Sequence, residues 1–479
     1  MSSKNFLICL TAIFIGAIFY ACARDYVTGK KTISLVSESQ EIAMGREADP
    51  QIVAEYGLYS DETLAEYVNG IGQEIAQVSH RPNLKYTFRV VDSPVVNAFA
   101  LPGGWVYFTR GIMAHFNSED ELAGVMGHEV GHVVARHGAE AQTRGQLAQL
   151  GLGVGSILSP QVAQLSEAAA QGIGILFLKY GRDQEAESDR LGVEYSTRLG
   201  YDAHKMAGFF RTIARISEGG EALPSFLSTH PDPGDRELTV NQLATTSQAK
   251  GDYKPRNTDR SDYLRRVDGI VFGDDPRGGF VEGNVFYHPE LRVQFPVPKG
   301  WFVLNRPQTV QLVAPEKNAV VQVTLEKAAS AGAAAEAFAK NSGAQVLRSE
   351  ARKVNGMSAA RVESNVQNQN QALRVLSYFI QKEQNILAFH GFTSTQLFSQ
   401  FANSFEAVMT GFDQIRNQAM LAKKPTRVRI ERVRQSADLA TVLRSFNMPN
   451  DKLKDLAILN GMKPEDRLAT GSLVKILRE

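Results

Sequence analysis

Apolar residues recur at helical spacing through much of the first half of the chain. Residues 36–56 and 61–78 read as two helices, and in the second Leu64, Val68, Ile71, Ile75 and Val78 form one stripe. Residues 86–91 alternate apolar and polar and predict a strand. A further helix follows, in which Leu122, Val125, Met126, Val130 and Val133 share a face. Ser118 with Glu121 reads as a capping box at its start, and Asp120 adds negative charge to the first turn. Gly138, after His137, suits a left-handed stop. Residues 146–180 are apolar and glycine-rich. Pro160 and the polar Gln161, Gln164, Ser166 and Glu167 argue against a membrane span, and two packed helices covering a cleft are expected there, with a membrane-surface contact as the lesser alternative. Helices running to Gly200 and over 203–217 complete this part.

The pattern then changes. Residues 246–275 are expected to be a linker, polar at first and ended by Gly273-Asp274-Asp275-Pro276. Short strands follow at 285–287, 292–295, 301–304, 310–313 and 320–325, with helices at 334–341 and 394–408, so residues 276–415 read as an α+β domain. His288 and His390 are isolated there and read as structural or surface residues. A basic linker at 416–427 precedes a strand-helix-helix-strand unit at 428–479, built from 428–433, 437–446, 451–460 and 473–477. At 479 residues the chain has room for two or three domains, and its formal charge of +1 suggests no nucleic-acid partner.

The chemistry concentrates in the helix after Ser118. His128-Glu129-Val130-Gly131-His132 puts two imidazoles on one helix face, roughly 40° apart, where both can reach one zinc ion. Glu129 is placed to reach a metal-bound water, as in the H-E-x-x-H arrangement of zinc metallopeptidases. A catalytic zinc needs a third protein ligand. Glu185 and Asp189 are again four apart. One of the two carboxylates can bind the metal and the other can accept the free N–H of a ligating histidine. The plain alternative is a charged, solvated helix, but like charges at that spacing are mildly unfavourable there.

Four motifs together resemble the zinc metallopeptidases that include the CAAX prenyl endopeptidases and the HtpX-type heat-shock proteases. They are Asn97-Ala98-Phe99-Ala100-Leu101-Pro102-Gly103-Gly104, the His128–His132 motif, Glu185 with Asp189, and Ser228-Thr229-His230-Pro231 followed by Arg236. The resemblance covers about residues 25–245 and is to the periplasmic lipoprotein branch. It implies one zinc per chain, with His128, His132 and Glu185 as ligands, Glu129 as general base and Asp189 behind the ligands. Glu187 is the nearest rival to Glu185, but no acid follows it four residues later. The resemblance further implies that His230 lies near the metal, where it caps the open position at rest or steadies the oxyanion; the alternative is a plain His-Pro turn. It also implies that Gly103–Thr109 is an edge strand beside the cleft, with Asn97, Ala98, Gly103 and Gly104 toward an extended substrate. A plain core strand would suit the same residues.

The two cysteines, Cys9 and Cys22, lie at the start of the chain. Lys4, an apolar run from Phe6 to Tyr20, and Ala21-Cys22 resemble a bacterial lipoprotein signal, with cleavage after residue 21 and lipid on Cys22. Phe19 and Tyr20 depart from the usual box, and an uncleaved anchor is the rival. Ala23 after the cysteine resembles outer-membrane sorting.

The expected architecture is therefore α+β. A mostly helical, zincin-type (gluzincin) domain with a small sheet spans 22–245. An α+β domain weakly similar to PsbP folds spans 276–415, and a LysM-like unit ends the chain. The Ser436-Ala437-Asp438-Leu439 stretch departs from the LysM pattern, so packing on the protease or docking a protein is favoured over glycan binding. The expected function is a zinc-dependent endopeptidase, lipid-anchored in the bacterial envelope and facing the periplasm, with the outer membrane as its expected site. Its expected substrates are misfolded or stalled envelope proteins, with peptidoglycan or outer-membrane assembly machinery as further partners. The rival from another class is a latent envelope scaffold.

Overall fold

The computed structural model describes residues 22–29, 31–149, 180–219, 226, 229–230, 233–368 and 371–479. The expected signal at 1–21 and the expected cover at 150–179 lie outside the described residues. The chain forms two compact units. One runs to Gly273 and resumes at Thr426–Glu479; the other is Asp274–Pro425.

In the first unit a hairpin of Cys22–Arg24 with Lys31–Ile33 precedes two helices, Glu38–Tyr56 and Glu62–Val78. Ser37 and Gln40 cap the first reciprocally, and Asp61 accepts the Leu64 N–H at the start of the second. The apolar stripe of the second helix is buried at Leu64, Val68, Ile71 and Ile75. A three-stranded sheet lies beside it, in the order Thr87–Val91, Trp105–Thr109, Ala98–Leu101. The central strand is parallel to the first and antiparallel to the last. The expectation that Gly103–Thr109 forms an edge is therefore corrected: Trp105–Thr109 is central, and the edges are Thr87–Val91 and Ala98–Leu101. The chain reverses between these two strands at Gly103 and Gly104, whose φ values are 78° and 104°. At Gly103 a Cβ would also lie 2.6 Å from the Ile42 Cα, so only glycine fits.

The helix carrying the histidine motif is Glu119–Val134, buried along almost its whole length. Ser118 accepts the Glu121 N–H, but the Glu121 carboxylate turns to the Asn117 N–H, so half of the expected capping box forms. Its end also differs from expectation. Arg136, not Gly138, adopts the left-handed conformation, at φ 59°, and a new helix, His137–Gln149, starts at once. Arg136 is held there by Glu41 and by the Val36 carbonyl, each at 2.7 Å.

Helix Arg182–Arg198 packs closely on the motif helix because glycines face each other across the seam. A Cβ on Gly192 would lie 2.9 Å from the His128 nitrogen, and one on Gly127 would lie 3.0 Å from the Gly192 Cα. Helices His204–Gly219 and Pro233–Gln248 pack together behind this pair.

The stretch expected as a linker at 246–275 is largely structured. Helix Arg260–Arg266 buries Tyr263 and Leu264. Residues 269–272 then pair with 426–428 through hydrogen bonds such as Gly269 N–H to Val428 O, 2.8 Å. The final unit pairs Arg427–Arg432 with Leu473–Arg478 and carries helices Leu439–Ser445 and Leu453–Leu459. Its Val428, Leu443, Leu459 and Ile476 belong to the same core as Phe116, Leu122 and Phe209. The buried Lys475 Nζ lies within hydrogen-bond distance of the carbonyls of Ala114 (2.8 Å), Phe116 (2.5 Å) and Leu459 (3.2 Å). The first two of these end the short helix before the motif helix, and Leu459 ends a helix of the C-terminal unit itself.

The second unit has a seven-stranded antiparallel sheet in the order Gln345–Val354, Met357–Asn368, Gln371–Lys382, Asn385–Ser394, Ala319–Glu326, Thr309–Val313, Phe302–Arg306. A four-stranded sheet and helices Ala331–Asn341 and Phe398–Thr410 complete it. His390 accepts or donates at Ser377 Oγ (2.8 Å) and stacks on Phe338; His288 takes the Leu291 N–H. Both are structural, and the metal-capable cluster found among the described residues lies in the other unit.

Candidate metal centre

The close seam between Glu119–Val134 and Arg182–Arg198 brings Glu185 against the two motif histidines. His128 Nε2 and His132 Nε2 are 3.0 Å apart, and Glu185 Oε1 is 3.5 Å from His132 Nε2. His230 enters from between the helices His204–Gly219 and Pro233–Gln248. Its Nδ1 lies 3.1 Å from Glu185 Oε1 and 3.3 Å from His128 Nε2. One ligand atom from each of these four residues lies within 4.8 Å of every other, and all four side chains are buried. The His230 N–H donates to Phe226 O at 2.7 Å, and its ring stacks on Phe226, whose own N–H donates to Val96 O beside the sheet edge.

Each motif histidine has a partner on its other ring nitrogen. Asp189 Oδ1 lies 2.9 Å from His128 Nδ1, and Arg236 grips the same carboxylate through Nε (2.8 Å) and Nη2 (2.6 Å). His132 Nδ1 lies 2.9 Å from His137 Nδ1, and His137 Nε2 lies 3.3 Å from Glu187 Oε2. Tyr180 stacks on the His132 ring at 4.0 Å between centroids. The sequence motifs assign no role to His137 or Tyr180, and they include Arg236 without one. His137 stands five residues after His132, a spacing that an unbroken helix would put on another face. Only the left-handed Arg136 turns it back.

The electrostatics follow from burial and the close opposite charges. Burial pushes the Glu129 carboxyl above its ordinary value, against the opposing pull of His230 and His128. Burial would also raise Asp189, but Arg236 and His128 outweigh it and hold the carboxyl at about 2. For His230 burial works downward, and Glu185 and Glu129 overcome it, so the imidazole is held above its ordinary value.

The remaining predicted residues are spread along the sheet edge and its turn. Ala98 begins the edge strand. Asn97 is buried; its N–H meets Thr109 Oγ1 at 3.2 Å, and its Oδ1 has no partner among the described residues. Gly103 directs its N–H at Glu41 Oε1 (3.3 Å), so both glycines serve the reversal. Cys22 is the first residue of the N-terminal hairpin.

A metal fits this cluster. Three imidazoles and a carboxylate are the donor types that bind zinc and its neighbours. Both oxygens of Glu129 and the Nε2 of His230 are fully buried and make no hydrogen bond among the described residues; Glu129 Oε1 lies 3.5 Å from His230 Nε2. Buried polar groups left without hydrogen bonds have capacity for a polar occupant beside them. His128, His132 and Glu185 would hold the metal, with His230 as a fourth donor.

Sequence comparison gives the same residues a context. The model of Peptidase family M48 matches residues 62–243. The chain is similar to the mitochondrial metalloendopeptidase OMA1 of Arabidopsis thaliana, 34% identical over 37% of this chain and 36% of that protein. It is similar to the beta-barrel assembly-enhancing protease of Yersinia pestis, 35% identical over 52% of this chain and 52% of that protein. It is also similar to OMA1 of Schizosaccharomyces pombe, 32% identical over 49% of this chain and 71% of that protein. The chain thus spans about half or less of the length of the first two relatives.

Proposed function

The chain belongs to peptidase family M48, and from that premise we propose that it is a zinc-dependent endopeptidase of the bacterial cell envelope. The observation that carries the reading is the buried His128–His132–Glu185–His230 cluster with the Glu129 carboxylate beside it, which makes no hydrogen bond among the described residues and lies 3.5 Å from His230 Nε2. A structural zinc site is closed and has no use for such a base.

Bound zinc would supply an acidified water and a polarised scissile carbonyl. The chain's own residues do the rest. The Glu129 carboxylate takes a proton from the water and returns it to the leaving amine, a task that suits an acid raised by burial. Asp189, charged and clamped by Arg236, accepts the His128 Nδ1–H and keeps the Nε2 lone pair toward the cluster. The edge strand Ala98–Leu101 pairs with an extended substrate backbone, so unfolded chain is recognised rather than one side chain.

The envelope setting rests on the lipoprotein-like start of the sequence, with lipid on Cys22, and on the relative named for enhancing beta-barrel assembly. Misfolded or stalled envelope proteins are the proposed substrates. Among the described residues no helix is long and apolar enough to cross a membrane. The second unit is read as PsbP-like and the last as LysM-like, the latter serving the protease rather than glycan.

One observation favours a latent resting form. His230 stands within the cluster as a fourth donor beside the three ligands, and four protein donors would leave a tetrahedral zinc no open position. In that form His230 moves aside before cleavage.

The test is cleavage of casein by the full chain, with and without a zinc chelator, beside Glu129→Gln. Chelator-sensitive cleavage that is lost in a zinc-loaded Glu129→Gln variant supports the enzyme. Zinc-loaded variant and parent cleaving alike would overturn the role of Glu129, and no cleavage by either would leave the scaffold reading.

A further inference from the structure

His128 and His132 are held differently. Through the ring nitrogen turned away from the cluster, His128 reaches a carboxylate directly, whereas among the described residues His132 reaches one through a third histidine. His132 turns Nε2 to the cluster, 3.0 Å from His128 Nε2, so a ligating lone pair there requires its proton on Nδ1. That Nδ1 lies 2.9 Å from His137 Nδ1, which must then accept. The proton of neutral His137 is left on Nε2, 3.3 Å from Glu187 Oε2. All three side chains thus have one consistent hydrogen-bond direction, with a carboxylate at the outer end.

We propose that His137 and Glu187 are positioning residues that fix the tautomer and ring orientation of the metal ligand His132. The inference rests on the metallopeptidase reading above. The local fold serves this contact. Arg136 adopts its left-handed turn under the grip of Glu41 and Val36, and this turn points His137 back at His132. His137 is only 2% exposed, so its ring nitrogens depend on protein partners. Glu187 is 28% exposed in its side chain and is free to stand in water, yet it directs one oxygen inward. Its other oxygen is 3.9 Å from Arg190. Ser188 Oγ, at 3.4 Å from His137 Nδ1, is the longer of the contacts to that nitrogen.

The experiment measures zinc affinity of the full chain by competition with a chromophoric chelator, together with the melting temperature of the zinc-free protein. His137→Leu should weaken zinc binding roughly 10–100-fold, the usual cost of losing such a partner, without lowering the zinc-free melting temperature. His137→Gln should restore most of the affinity, because its amide oxygen accepts from His132 and its NH2 donates to Glu187. Glu187→Ala should weaken zinc binding by less, and should add nothing in the His137→Leu background. Parent-like affinity in His137→Leu, or equal loss in His137→Gln and His137→Leu, overturns the proposal. If His137→Leu does not fold, Glu187→Ala decides: unchanged affinity overturns it. A parent chain that takes up no zinc overturns the metal reading itself, and the relay with it.

Discussion

At the scale of single residues, burial acts with opposite results according to what stands nearby. Glu129 is raised by burial, while Asp189, equally enclosed, is held at about 2 because Arg236 closes on it from two directions. The motif spacing disclosed both acids, since i,i+4 pairs on helices are readable without tertiary structure. It could not disclose Arg236 as the clamp, which comes from a distant helix, or His137 as a partner, which depends on the left-handed turn at Arg136. His390 shows a third case. Burial drives its imidazole down to about 4, and the Ser377 hydroxyl is its polar side-chain partner among the described residues. The unfolded chain then binds a proton between about pH 6.5 and 4 that the folded unit refuses. Stability from this group is full above pH 6.5 and falls as pH drops toward 4, by up to about 3 kcal/mol. Calorimetry across that window should show the acid slope flatten in His390→Gln; an unchanged slope would remove His390 as its source.

At the scale of elements, helix existence was legible and contact between elements was not. The stripe Leu64, Val68, Ile71 and Ile75 is buried as its spacing implies. Strand order within the small sheet could not be read, because Trp105–Thr109 is apolar enough to be edge or centre. Only the parallel partner Thr87–Val91 decides it. The glycine seam is another contact invisible in the sequence, and it determines the geometry of the site. On an exposed helix, glycine to alanine gains about 1 kcal/mol. At Gly192 the added methyl would lie 2.9 Å from the His128 nitrogen and 3.1 Å from the Gly124 carbonyl. Gly192→Ala is therefore expected to cost about 1–3 kcal/mol by overpacking. It should also weaken zinc binding, as Glu185 and Asp189 ride on the displaced helix. Thermal melting and chelator competition check both signs, and a stabilised variant with parent zinc affinity would mean that the seam has slack.

At the scale of the molecule, the chain returns from the second unit to finish the first. The polar run at 246–262 hid this from sequence reading. The apolar residues that follow, Tyr263, Leu264, Val267, Ile270 and Val271, form a pattern too short to announce a folded element. Their partners come from both ends of the chain: Tyr263 donates to the Met113 carbonyl and Val271 N–H to Tyr59, while residues 426–428 pair with 269–272. Lys475 is the most demanding piece of that junction. Burial and nearby Arg260 push its amine well below the ordinary range, against the pull of Glu121, and its nitrogen serves three carbonyls on either side of the junction. Lys475→Met keeps the length of the side chain but strands those carbonyls, so a loss of about 3 kcal/mol or more is expected. The two acceptors at Ala114 and Phe116 stand just ahead of the helix that carries His128, Glu129 and His132. The loss should therefore reach the metal centre: zinc affinity falls together with the melting temperature, and deleting 426–479 has a larger effect in the same direction. A deletion that left melting and zinc uptake of the remaining chain unchanged would make the last unit a separate module after all.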